Sequence, residues 1–247
     1  MKHPLCKVPQ QARLVGALLL AMLPFDAVQA QSVCSSDGQP QPVQLLERFI
    51  NADCATCWQD AATPKPARDQ IALDWVVPGS QGDAAPLSAV ATRDAAQRLE
   101  AVSEKTSDAS ASRRSAVRGL PGDRLRVAHG LPVTGYIGAS IALTPGLSAA
   151  PAGSWTAWLA LVESLPKGTE GSPVARNLVR NTFKVNWDGR KQLQNTEQVR
   201  LIEQRSMGLP ESAEPSRLRV IGWIEDSQGR VQAAAASKCV PDKRSAH

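Results

Sequence analysis

Two cysteines three positions apart, Cys54-Ala55-Thr56-Cys57, follow an apolar run and are the residues best suited to chemistry. A thiol at the start of a helix meets unpaired N–H groups and the positive end of the helix dipole, which stabilise its thiolate. A second thiol one turn later can attack a mixed disulfide at the first sulfur and release the bound partner. That order makes Cys54 the candidate nucleophile and Cys57 the resolving thiol, together the candidate catalytic pair. Asp53, beside Cys54, either opposes the thiolate by like charge or caps the helix. The competing reading of the same spacing is an inert disulfide between neighbouring turns. A zinc centre is not expected, because zinc takes four N or S ligands. Beyond residue 30 only His129, read as a surface turn residue, and the terminal His247 accompany the cysteines. No cofactor is implied.

The elements that position this pair follow from periodicity. Val43–Ile50 reads as the strand leading into the motif, and Pro64 and Pro66 hold the helix after it to about two turns or push its start later. Ile71–Val77 is the next strand, stopped by Pro78-Gly79. Thr92–Val102 has helical spacing, with Ala95, Leu99 and Val102 on one face. Residues 103–123 show no period and read as a long Ser/Ala/Arg-rich loop. Arg124–Ala128 and Tyr136–Leu143 read as strands around His129-Gly130-Leu131-Pro132, and Gly146–Gly153 as a connection. Further strands are expected at Trp155–Val162, Val179–Trp187, Val199–Ile202, Leu218–Glu225 and Arg230–Ala236. Of these, the last two flank the hairpin signal Asp226-Ser227-Gln228-Gly229. The expected fold is an α/β thioredoxin-like part over residues 43–145, then a β-rich, sandwich-like part over 154–237. A polar leader (31–42) and a polar tail (238–247) flank them.

The chain's start reads as an export signal. Lys2, Lys7 and Arg13 precede the apolar run Leu14–Pro24, and Val28-Gln29-Ala30 offers a cleavage site before Gln31. An N-terminal membrane anchor is the alternative, although the run is short of the roughly 20 apolar residues of a spanning helix. No later segment could span a bilayer, so no stable membrane span is expected after cleavage. Losing three bases and one acid leaves 25 bases against 22 acids, and the formal charge falls from +5 to +3. The remaining bases are scattered, which argues against nucleic acid as a partner. Aromatic residues make up 4% of the 247, so the core must be built mainly from Ala, Val, Leu and Ile. Cys34, Cys54, Cys57 and Cys239 remain, an even number that fits an oxidising, periplasmic or secreted setting and two disulfides. Four cysteines allow three pairings. Cys54–Cys57 with Cys34–Cys239 is favoured, because the first is local and domain termini often lie close together.

Three islands of sequence resemble a known family. Leu45-Leu46-Glu47-Arg48-Phe49-Ile50-Asn51-Ala52-Asp53-Cys54-Ala55-Thr56-Cys57 resembles the opening of the secreted bacterial domain of unknown function (DUF) 1223. Gly171, Arg176, Leu178 and Asn181 resemble its second signature, and Arg219–Asp226 through Gly229 to Ala233-Ala234 its final hairpin. The resemblance implies a thioredoxin-like domain followed by β-structure, exported, with the thiol pair carried by Cys54 and Cys57. Trp58 stands where that family usually has Pro, and Pro132 is the nearest candidate for a cis-proline facing the thiols. Two functions follow as expectations. One is an exported thiol–disulfide oxidoreductase whose partner is a periplasmic protein thiol or disulfide. The other is a non-catalytic exported binding or scaffold protein that keeps the C-x-x-C as a staple.

Overall fold

Apolar runs, most of them buried along nearly their whole length, form strands that assemble into two sheets. The structure, a computed structural model, describes residues 34–102, 109–120, 122–144, 154–188 and 201–239. The expected export signal, the start of the leader, the connection at 146–153, Val199 and the tail beyond 239 lie outside the described residues. The strands are β1 (Cys34–Ser35), β2 (Gln44–Asn51), β3 (Gln70–Val77), β4 (Ser110–Ala116), β5 (Arg124–His129) and β6 (Tyr136–Thr144). They continue with β7 (Ser154–Leu165), β8 (Arg176–Asp188), β9 (Leu201–Gly208), β10 (Leu218–Glu225), β11 (Val231–Ala236) and β12 (Lys238–Cys239). Two α-helices occur among the described residues, α1 (Ala55–Trp58) and α2 (Arg93–Ala101). Neither is long and apolar enough to cross a membrane.

One sheet has five antiparallel strands in the order β12-β1-β5-β6-β9, the other seven in the order β11-β10-β7-β8-β3-β2-β4. The larger sheet is mixed: β2 and β3 run parallel in full register, and β3 meets β8 in parallel at Asp74↔Leu178. These facts correct the expected α/β thioredoxin-like part. The described residues are mostly β, and each sheet combines strands from both sides of the 145–153 connection. The physical reason lies between β2 and β3. That crossover carries only a four-residue helix before the chain reaches Pro64 and Pro66, too little to cover a sheet face. The supposed loop at 103–123 supplies β4, which pairs antiparallel with β2.

The apolar run of β7 resolves into two faces of one strand. Ala157, Leu159 and Leu161 face a core shared with Val127, Ile137, Ile141 and Leu143 of the smaller sheet. Trp158, Ala160 and Val162 face the opposite way, into a core with Phe49, Trp75, Ala95 and Leu99 that α2 helps to close. At β7 and β10 both faces of the larger sheet are therefore buried, which explains why these strands lack a polar alternation. Gly222 of β10 lies close against the smaller sheet. A Cβ there would lie 2.5 Å from Val127 Cγ1 and 2.9 Å from Ile141 Cδ1. Helix α2 starts at Thr92, whose side chain accepts from the Ala95 N–H at 3.1 Å. Its Arg98 lies in the core as a tie. It donates to Glu47 at 2.7 and 2.8 Å, pairs with Glu225 at 2.7 Å, and sits over the Trp158 and Trp223 rings. Burial opposes its charge, but the two carboxylates outweigh that, and its pKa is raised further.

Candidate functional site

The C-x-x-C segment begins where β2 leaves the sheet. Ala52 still donates to the Val77 carbonyl at 2.8 Å, after which the chain turns. Asn51 fixes that turn, accepting from the Asp53 N–H through Oδ1 and from the Cys54 N–H through its carbonyl. Cys54 is the N-cap of α1, with no side-chain cap, and the Cys57 N–H donates back to the Cys54 carbonyl at 3.2 Å. Cys54 and Cys57 are joined as a disulfide with their Cα atoms 5.4 Å apart. Both are half-buried, and Ala55 and Thr56 between them are exposed. Thr56 Oγ1 lies 3.6 Å from the Cys54 sulfur.

Asp53 neither caps α1 nor points its charge at the helix start. Its carboxylate accepts from the Ser80 N–H at 2.7 Å, the Ser80 hydroxyl at 2.8 Å and the Gln81 N–H at 3.2 Å. Those bonds, led by the Ser80 hydroxyl, hold its pKa below the usual carboxylate range. A side chain on Gly79 would collide with this carboxylate and with Asn51 Oδ1, so glycine is needed for the close approach.

Beneath the disulfide, Trp58 anchors the turn. Its ring is buried, and its indole N–H donates to the Thr169 carbonyl at 3.2 Å. Gln59 reaches the next carbonyl, Glu170, at 3.4 Å. The loop after β7 is thus tied to α1, with Glu170 held at φ 48° and Gly171 at φ 80° to make the bend. Arg176 of β8 completes the support: its guanidinium lies 4.3 Å from the Trp58 ring centroid and donates to the Trp58 carbonyl at 2.8 Å.

Arg176 belongs to a buried charge cluster that local sequence reading does not reveal. Asp74 accepts from Arg176 Nη1 at 2.8 Å, Arg48 Nη2 at 2.7 Å and the Asn177 N–H at 2.9 Å. Arg48 also donates to the carbonyls of Pro64 and Ala175. Two guanidiniums therefore share one carboxylate. Burial lowers the pKa of Arg176, and Asp74 offsets that only in part. A cleft of about 140 Å³ opens beside the cluster, lined among others by Arg48, Ile50, Cys57, Asp60, Thr63 and Arg176. Arg176 was visible in sequence as a signature residue. Arg48 and Asp74 had one available signal: opposite charges inside two apolar strands, which turn out to be register partners.

Other expected features fall elsewhere. Pro132 lies in the β5–β6 connection of the smaller sheet, and no cis peptide bond occurs among the described residues. His129 is not a surface residue but is 4% exposed. It sits beside the second disulfide, Cys34–Cys239, which joins β1 to β12 and so ties the two ends of the described chain. Both disulfides match the favoured pairing. Cys34, His129 and Cys239 form the one metal-ligand cluster found among the described residues.

Fold and site together define a two-sheet β-protein with a half-exposed C-x-x-C disulfide over a buried arginine pair. No family model matches the chain, and no curated protein does. The DUF 1223 resemblance therefore rests on its three sequence islands. Among solved structures, HBP35 of Porphyromonas gingivalis is similar with a TM-score of 0.48 and 9% identity, over 82% of this chain and 76% of that one. So remote a likeness assigns no residue and no activity.

Proposed function

We propose that this is an exported, periplasmic or secreted protein that exchanges thiols and disulfides through Cys54 and Cys57, with a protein thiol or disulfide as partner. The observation that carries the reading is the setting of the pair. The bridge is half-exposed on one tight turn, and Cys57 borders a cleft lined by Arg48, Arg176 and Asp60, with both guanidiniums paired to Asp74. When the bridge opens, the Arg48 and Arg176 guanidiniums favour an anionic sulfur at Cys57, with Asp74 and Asp60 opposing, and the thiolate is the form that attacks disulfides. In the reducing direction the Cys54 thiolate attacks a substrate disulfide, forming a mixed disulfide and expelling one substrate thiolate. Cys57, losing its proton to solvent, then attacks Cys54 Sγ, reforms the Cys54–Cys57 bridge and expels the second thiolate. Two electrons pass to the substrate. The oxidising direction is the reverse. The single turn of α1 supplies only a small dipole.

An insulin-reduction assay with a dithiol donor tests this, with Cys54→Ser as control. Turnover by the natural chain that is lost in Cys54→Ser supports exchange, whereas equal low turnover in both refutes it. The second reading is a non-catalytic exported binding or scaffold protein in which the bridge is a staple. It is favoured by the latch from Trp58 and Gln59 to the 169–170 loop, which a bridge could serve by stiffening α1. That reading predicts the second outcome.

A further inference from the structure

Cys239, Cys34 and His129 form a row across three neighbouring strands. Cys34 of β1 is the register partner of Cys239 on one side and of His129 on the other. Directly opposed residues project from the same face of a sheet, and the ligating atoms of all three lie within 4.8 Å of one another. The imidazole is prepared for a ligand. Nδ1 lies 2.9 Å from the Gly130 carbonyl, so it carries the proton and donates. That leaves the lone pair on Nε2, which is buried and has no hydrogen-bond partner among the described residues. A metal-bound histidine normally shows this arrangement, with one nitrogen tied to a carbonyl and the other free to coordinate.

We propose that reduction of the Cys34–Cys239 bridge converts the clasp into a zinc site formed by Cys34 Sγ, Cys239 Sγ and His129 Nε2. An external dithiol supplies the reduction: it gives two electrons and two protons to the bridge, becomes a cyclic disulfide, and leaves two protein thiols. Zinc then displaces one proton from each thiol. Two thiolates neutralise the ion's charge, which suits a position where Cys34 is 2% exposed and His129 is 4% exposed. The sulfurs must separate from bonding distance to about 3.7 Å, set by Zn–S bonds of about 2.3 Å. Cys239 is exposed on the two-residue edge strand β12 and can make that adjustment. Its exposure also leaves the fourth position open to water, as in three-ligand zinc centres. The ion would hold β12 on β1 when the covalent tie is broken.

The test uses the full chain with Cys6, Cys54 and Cys57 replaced by Ser, reduced with a phosphine and titrated anaerobically with Co²⁺ as the spectroscopic probe and Zn²⁺ as competitor. The expected result is one equivalent bound, a thiolate-to-cobalt charge-transfer band, displacement by Zn²⁺, and no binding to the oxidised chain. His129→Gln in the same background should weaken binding about 10-fold or more and alter the cobalt bands. Failure of the reduced chain to bind, or equal affinity in His129→Gln, would overturn the proposal. The natural chain guards against misfolded variants. With its thiols mapped by alkylation, Zn²⁺ should protect Cys34 and Cys239 after reduction, and full labelling of both would overturn the proposal as well.

Discussion

Asp74→Asn is the substitution that most sharply perturbs the support of the C-x-x-C turn. Asp74 is fully buried and is the sole carboxylate paired with Arg48 and Arg176 in the cluster. Asparagine keeps the shape but removes the charge and presents an amide N–H₂ where a guanidinium now donates. Two charge-assisted bonds are weakened, each worth about 1.5–3 kcal/mol, and two buried cations lose their counter-charge. Breaking such a pair from one side costs about 3–5 kcal/mol, a large share of the roughly 5–15 kcal/mol typical of a folded domain. Urea denaturation should show a midpoint shift of that size with an unchanged slope. Because Arg176 also holds the Trp58 carbonyl and ring, amide exchange at 55–59 should accelerate beyond the global change. The matched surface control is Asp37→Asn, whose partners Arg124 and Arg126 are 63% and 31% exposed, with an expected loss under about 1 kcal/mol. A loss under 1 kcal/mol for Asp74→Asn, with exchange at α1 unaltered, would refute the assignment of this cluster as the anchor of the turn.

Two further outcomes are expected. Replacing both Cys34 and Cys239 by Ser removes a crosslink of sequence separation 205. On the chain-entropy account that is worth about 5 kcal/mol, and about 2–4 is typical, so calorimetry should show a clearly lower Tm, whereas an unchanged Tm would contradict the clasp. His129 gives a pH signature. Its folded pKa lies below the ordinary 6.5, chiefly through burial, with the nearby Arg219 adding to it and the Gly130 hydrogen bond opposing. The unfolded chain therefore takes up the proton first, so this group's stabilisation is complete above pH 6.5 and declines as pH falls below it. Denaturation at pH 7.5 and pH 5 should show a smaller acid loss in His129→Gln than in the natural chain, and parallel losses would refute the burial argument.

Much of the local structure was legible in the sequence. Leu218–Glu225 forms a strand with the bounds read from the sequence, and α2 occupies Arg93–Ala101 within the expected Thr92–Val102. What stayed hidden was mostly non-local. β4 reads Ser-Ala-Ser-Arg-Arg-Ser-Ala; with small and polar side chains at an edge it has no apolar face to announce it. The β3–β8 pairing joins residue 74 to residue 178, and nothing in local periodicity records such a partner. The strand–C-x-x-C–strand order suggested a thioredoxin-like sheet because that order is local, whereas the strands flanking it come from distant parts of the chain. Sequence alone left three pairings of the four cysteines open, and the observed one is the pairing favoured because one pair is local and the other flanks the domain. His129 was misplaced because a Gly-Leu-Pro turn follows it, while the residue itself ends a buried strand between β1 and β6.

The central claim is that the Cys54–Cys57 bridge exchanges with outside thiols. It is tested most directly by equilibrating the natural chain in glutathione buffers and reading Cys54 and Cys57 by mass-resolved alkylation. The account predicts a potential above about −300 mV, with a transient glutathione adduct on Cys54. A potential below about −300 mV, the range of inert structural bridges, with no adduct at either sulfur would contradict it.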